Sequence, residues 1–171
     1  MHSAPQKTPV IQVLMVCLGN ICRSPTAHGV MDKYIQNKKL DKYIRVDSAG
    51  TGDWHIGASP DQRAVQAAAG RGYQIASLRA RQVCQADFEE FDYLLAMDRT
   101  NLRELKNRCP GAHQSKLQLL LQYSNSGHES VPDPYYSGAQ GFELVLDLVE
   151  EACEQLLLHI QTEHYPELRA D

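Results

Sequence analysis

Cys17 and Arg23 flank Leu18, Gly19, Asn20, Ile21 and Cys22, and Ser24 and Pro25 follow directly. A thiol attacks only as thiolate, and a helix N-terminus with a guanidinium beside it favours that form. Arg23 offers a planar fork that matches two oxygens of a tetrahedral anion, which a lysine cannot copy. Gly19 lets the backbone come close to such an anion. Asn20 is the non-glycine type that best tolerates a left-handed turn. Spacing alone would more often mean a buried cysteine beside a surface arginine, so the flanking elements have to decide.

Those elements fit a cradle. The apolar run Val10 to Val16, broken only at Gln12, reads as a buried strand. Ser24 reads as a helix N-cap with Pro25 in the first turn. A strand, a tight loop and a helix start in that order turn loop N–H groups and the positive end of the helix toward a bound oxyanion.

Downstream, strands and helices alternate. Ala27, Val30, Met31, Tyr34 and Ile35 share a helical stripe that ends near Lys38-Lys39. A short strand at Ile44 to Val46 precedes the Gly-rich loop DSAGTGDWHIGAS. Pro60 opens a helix through Ala64, Val65, Ala68 and Ala69 that Gly70 and Gly72 end. Gln85 to Glu90 reads as a turn, and Tyr93 to Met97 as a buried strand. Asp98 caps a helix through Leu102 and Leu105 that stops at Cys109-Pro110-Gly111. Leu117, Leu119, Leu120 and Leu121 form a fourth strand. The last element is a long amphipathic helix with Phe142, Val145, Leu146, Val149, Ala152, Cys153, Leu156 and Ile160 on one face. This order predicts an α/β fold: a doubly wound parallel sheet with helices on both faces. Ligands in such sheets sit beyond the C-terminal strand ends, where Cys17 falls.

With 171 residues the chain makes one domain. It is expected over 10–164, between a polar, disordered tail at 1–9 and a C-terminal tail at 165–171. A net charge of −4 excludes a nucleic-acid binder resting on excess basic charge. Five cysteines, an odd number, fit a reducing cytoplasm. No Cys-x2-Cys pair and no histidines at i, i+4 occur, so no metal site is expected. The apolar run after Lys7 is too short for a signal peptide and leads into Gly19-Asn20, and bulky Met15 and Val16 oppose a lipoprotein site at Cys17. Nothing approaches the roughly 20 apolar residues of a membrane span. No Gly-Lys-Ser/Thr follows the loop, which removes a nucleotide-binding P-loop.

CLGNICRS, Cys17 to Ser24, resembles the phosphate-binding loop of the low-molecular-weight protein tyrosine phosphatases. Asp133-Pro134-Tyr135-Tyr136 is similar to the same family's C-terminal motif. Asp47 to Gly57 and Phe91 to Asp98 also match in order, so the likeness runs from Val10 to His164. It implies a flavodoxin-like strand order 2-1-3-4 and a cofactor-free phosphatase working through a phosphocysteine. Cys17 would be the nucleophile. Arg23 and the loop 18–22 would bind phosphate, and Asp133 would be the general acid and then the base. Ser24 would hydrogen-bond Cys17, and Asn20 and Ser48 would brace the loop. Trp54, Tyr135 and Tyr136 would wall an aryl slot deep enough to favour phosphotyrosine over phosphoserine.

Cys22 has two readings: a reversible disulfide partner of Cys17, implied by the resemblance, or a space-filling side chain. Where many relatives carry a histidine this chain has Leu78, which leaves the bracing of the loop open. The expected partner is a tyrosine-phosphorylated protein, with a bacterial tyrosine kinase among the candidates and no nucleic acid or membrane. The expected state is a monomer or weak dimer. Two other functions compete. An arsenate reductase needs further cysteines near the end of the third strand, where Ala96-Met97-Asp98 stand. A non-catalytic phosphotyrosine-binding module would need neither Cys17 nor Asp133.

Overall fold

A computed structural model describes residues 10–169. Four parallel strands run β1 (Ile11–Cys17), β2 (Ile44–Gly50), β3 (Tyr93–Ala96) and β4 (Leu117–Leu119), in the sheet order β2-β1-β3-β4. Helices α1 (Arg23–Asn37), α2 (Gln62–Gly70), α3 (Gln85–Glu90), α4 (Arg99–Arg108) and α5 (Ala139–His164) connect and cover them. The expected fold class and strand order both hold.

Burial on both faces explains the unbroken apolar run of β1. Ile11, Val13, Met15 and Cys17 pack against α1, α2 and α5, whereas Leu14 and Val16 meet Phe88, Leu105 and Leu117 on the opposite side. Successive strand residues point to opposite faces, so a strand covered twice must be apolar throughout. The long α5 inserts Val145, Val149, Cys153, Leu156 and Ile160 into the larger core.

Some boundaries differ from expectation. β2 runs on through Asp47, Ser48, Ala49 and Gly50, which pair with Leu14 to Cys17, so the first four residues of the supposed Gly-rich loop are strand. The fourth strand is three residues long and passes into a 3-10 turn at Leu120–Tyr123. Gln85 to Glu90 is a short helix, with Asp87 accepting from the Cys84 N–H at 2.8 Å. Past His164, Tyr165 is buried and donates from its hydroxyl to the Tyr43 carbonyl at 3.0 Å. A 3-10 turn follows at Pro166–Arg169. The N-terminal tail expected at 1–9, like residues 170–171, lies outside the described residues.

The strand order reverses between β1 and β3, and the crevice at their C-terminal ends is where such sheets place ligands. Cys17 ends β1, and Asp98 follows β3. Val131 donates its N–H to the Met97 carbonyl at 2.8 Å, which fastens the segment before Asp133 to the same edge.

Candidate active site

The loop after β1 returns at once into α1, and its turn is made by Asn20, whose φ is +56°. Asn20 is almost fully buried. Its N–H points at the Cys17 sulfur at 3.3 Å, and its amide donates to Ser24 Oγ at 2.7 Å. Its carbonyl oxygen accepts the Arg81 N–H at 3.0 Å. One side chain therefore closes the left-handed turn on itself and ties it to a segment 61 residues away.

Ser24 is not the N-cap. α1 begins at Arg23 with Cys22 in the cap position, so Ser24 sits in the first turn. Its hydroxyl is turned inward, 3.0 Å from Cys17 Sγ. A hydroxyl held by Asn20 and the thiol is no longer free to cap backbone. Pro25 falls in that first turn, where its missing N–H costs nothing. Within the described residues no protein acceptor pairs with the N–H groups of Leu18, Gly19, Ile21 or Cys22. Loop N–H groups left open beside a helix start suit the loop to an anionic acceptor.

Arg23 is buried, and its direction is fixed from one side. Nη1 donates to Asp98 Oδ2 at 2.6 Å and to the Val131 carbonyl at 3.1 Å. Nη2 lies 3.8 Å from Asp133 Oδ2. Asp133 is half exposed, and its other oxygen accepts the Tyr135 N–H at 3.0 Å. Cys17, Arg23 and Asp133 line one cavity of about 300 Å³ together with Leu18, Gly19, Ile21 and Cys22. Trp54, His55, Tyr135 and Tyr136 form its outer wall.

The wall is aromatic and open. The Tyr135 and Tyr136 rings meet edge to face at 4.9 Å, and Tyr136 is 95% exposed. Trp54 folds back over Gly52, where a Cβ would meet its ring at 1.8 Å, so only glycine permits this pose. His55 lies over Gly19 in the same way, with Cδ2 2.9 Å from the position of a Cβ.

Ser48 does not reach the loop by a hydrogen bond. Its hydroxyl pairs with His28 Nδ1 at 2.9 Å, on the face of α1 turned toward β2. Burial holds His28 below the ordinary histidine range, against the opposing pull of Asp47 and Asp32. Cys22 is buried beside Cys17. Burial first, then the charges of Asp61, Cys17 and Asp133, push its thiol up to about 12.

Sequence reasoning missed Asp98 as the partner of Arg23, and also His28, His55 and Arg81. Asp98 was visible only as a helix cap. Its place directly after a buried strand was the one signal that it could reach a site at a neighbouring strand end.

The family model described as low molecular weight phosphotyrosine protein phosphatase matches residues 12–165. The chain belongs to that family. Relatives agree along almost the full length of the phosphatase. The low-molecular-weight protein-tyrosine-phosphatase YfkJ of Bacillus subtilis is 42% identical over 155 residues, covering 90% of this chain and 98% of its own. Its crystal structure superposes with a TM-score of 0.85. A protein tyrosine phosphatase of Entamoeba histolytica, solved with Hepes in its active site, matches with a TM-score of 0.86. It is 43% identical, over 89% of this chain and 97% of that one. A Drosophila arginine phosphatase matches at 0.83 and 33% identity, over 90% and 99%. Membership makes the protein a phosphoric monoester hydrolase. No helix among the described residues is long and apolar enough to cross a membrane.

Proposed function

We propose that the protein hydrolyses phosphotyrosine in proteins, and small aryl phosphates, through a phosphocysteine intermediate in a reducing cytoplasm. The observation that carries this reading is that Cys17, Arg23 and Asp133 line one cavity whose mouth is Trp54, Tyr135 and Tyr136.

The phosphoryl group sits in the loop of residues 18–22, with its oxygens taken by the loop N–H groups and the free edge of Arg23. The Cys17 thiolate attacks phosphorus and the ester oxygen leaves. Asp133 gives that oxygen its proton, a step that general acids commonly speed by about 10²- to 10⁴-fold. Ser24 Oγ donates to the sulfur, which helps keep it anionic before attack and as it leaves phosphorus. Asp133, now a carboxylate, takes a proton from the water that hydrolyses the phosphocysteine. The chain itself thus supplies the nucleophile, the acid and the base. The aromatic walls reach an aryl ring whose phosphate touches the floor, whereas the shorter phosphoserine would leave them empty.

The Cys17–Cys22 pair supplies a protective redox step. A peroxide oxidises Cys17 to the sulfenic acid and is itself reduced to water. Cys22 gives its proton to the departing hydroxide and attacks as the thiolate so formed, which releases water and closes a disulfide that a thiol reductant reopens.

Hydrolysis of phenyl phosphate in EDTA by wild type, Cys17→Ser and Asp133→Ala is the test. Turnover by wild type, none by Cys17→Ser and a strong loss in Asp133→Ala is the expected result. Arsenate reduction without turnover would reassign the loop to redox chemistry. Binding of phosphotyrosine without turnover would leave a recognition module. Preference for phosphoarginine over phosphotyrosine would place the chain with the Drosophila relative.

A further inference from the structure

We infer that Arg63 is a positioning residue for the acid loop, acting through Tyr135; this rests on Asp133 being the general acid. Arg63 makes a bidentate pair with Asp61, Nε to Oδ1 at 3.0 Å and Nη2 to Oδ2 at 2.9 Å. That fork occupies the edge of the guanidinium and leaves its faces for rings. The Tyr135 ring centroid lies 5.5 Å from Cζ and that of Phe142 4.8 Å. Both distances are within reach of a cation–π contact.

Each partner leads elsewhere in the site. Asp61 caps α2, and its N–H donates to the Ile21 carbonyl of the phosphate loop at 2.8 Å. Phe142 is buried in the first turn of α5. Tyr135 carries the N–H that holds Asp133 Oδ1. Arg63 thus joins the phosphate loop, the root of α5 and the acid loop at one point. Besides that N–H the carboxylate has only Arg23 Nη2 near it among the described residues, at 3.8 Å; the Asp133 side chain is 49% exposed, and the Tyr136 ring beside it stands in solvent. Removing the guanidinium frees Tyr135, and with it the N–H that aims the carboxyl group at the leaving oxygen.

The readout is the leaving group. A nitrophenolate departs without a proton, whereas phenolate needs one, so loss of acid aim lowers kcat/KM for phenyl phosphate alone. Arg63→Ala is expected to cut kcat/KM for phenyl phosphate about three- to fivefold, the span a partly exposed cation–π contact commands, and to leave nitrophenyl phosphate nearly unchanged. Arg63→Lys keeps the charge but not the planar face, and is expected to match Arg63→Ala. Phe142→Leu, which removes the second ring and leaves Arg63 in place, should show the same contrast more weakly. Asp133→Ala is run alongside with both substrates. An equal loss on both substrates in Asp133→Ala would remove the acid and this inference together. A contrast in Asp133→Ala that is absent from the Arg63 variants, or full rescue by lysine, would overturn the role of Arg63 alone.

Discussion

Arg23 reaches Asp98 across 75 residues of sequence, with Nη1 donating to Oδ2 at 2.6 Å. The other oxygen of Asp98 accepts the Asn101 N–H at 2.7 Å and so starts α4. One carboxylate aims the guanidinium and caps a helix. Arg23 itself is buried at the start of α1, so its fork has one free edge, and Asp98 decides which.

The two jobs of Asp98 separate by substitution. Asp98→Asn keeps an oxygen for the cap and loses the charge on Arg23. Thermal stability should change little, and kcat/KM for an aryl phosphate should fall about ten- to a hundredfold. Asp98→Ala should show the same kinetic loss and a further cost of about 1 kcal/mol from the missing cap. Equal kcat/KM in wild type and Asp98→Asn would show that Arg23 does not need this aim.

Asn20 combines a left-handed backbone with three hydrogen bonds. Asn20→Ala puts a Cβ residue without local hydrogen bonds at φ +56°. It should cost about 2–3 kcal/mol in denaturant unfolding. Asn20→Gly relieves the backbone part and should recover about 1 kcal/mol of it. Both should lose activity, because Ser24 is then free to turn away from Cys17. Alanine and glycine variants of equal stability would mean that the turn carries no strain.

Cys22 is held as a thiol, pushed up to about 12 by burial and by the charges around it. Mapping of iodoacetamide adducts at pH 7.5 should find Cys22 unmodified while exposed Cys84 reacts. Labelling of Cys22 should begin only above about pH 10, where its thiolate first forms. Ready labelling at neutral pH would show that the pocket opens.

His28 stays neutral in the fold because burial holds it down, so the unfolded chain takes up its proton first as pH falls. With more protons bound to the unfolded state, stability drops on going below about pH 6.5 and is constant on this account above it. Urea unfolding at pH 7.5 and 5.5 should show the loss in wild type. His28→Gln, which can still hydrogen-bond Ser48 but does not titrate, should show a shallower one. The same slope in both proteins would place the acid sensitivity elsewhere.

The loop was legible because its parts are contiguous. Cys17, Asn20 and Arg23 lie within one turn of chain, and the residue types that make a left-handed bend and an anion fork announce themselves locally. The segment that lines the other side of the cavity was legible for the same reason, with Asp133 between two prolines beside two tyrosines. Ser24 shows where local reading stops. A serine before a proline looks like a cap, but the first turn had begun one residue earlier, and the hydroxyl had better partners in Cys17 and Asn20. Ser48 shows it again: its bond goes to His28, which β2 and α1 bring together from 20 residues apart.

By itself the sequence determined the alternation of strands and helices, the tight loop from Cys17 to Arg23, and the family to which the chain belongs. Periodicity and turn chemistry act over a few residues, and such signals are complete in the local string. The tertiary structure decided which way Arg23 points, what braces Asn20 and what holds Tyr135. Parallel strands gather their C-terminal ends in space while the chain returns through whole helices, so Asp98, Arg81 and Arg63 reach the site from distant positions. Nothing in their own neighbourhoods records that meeting.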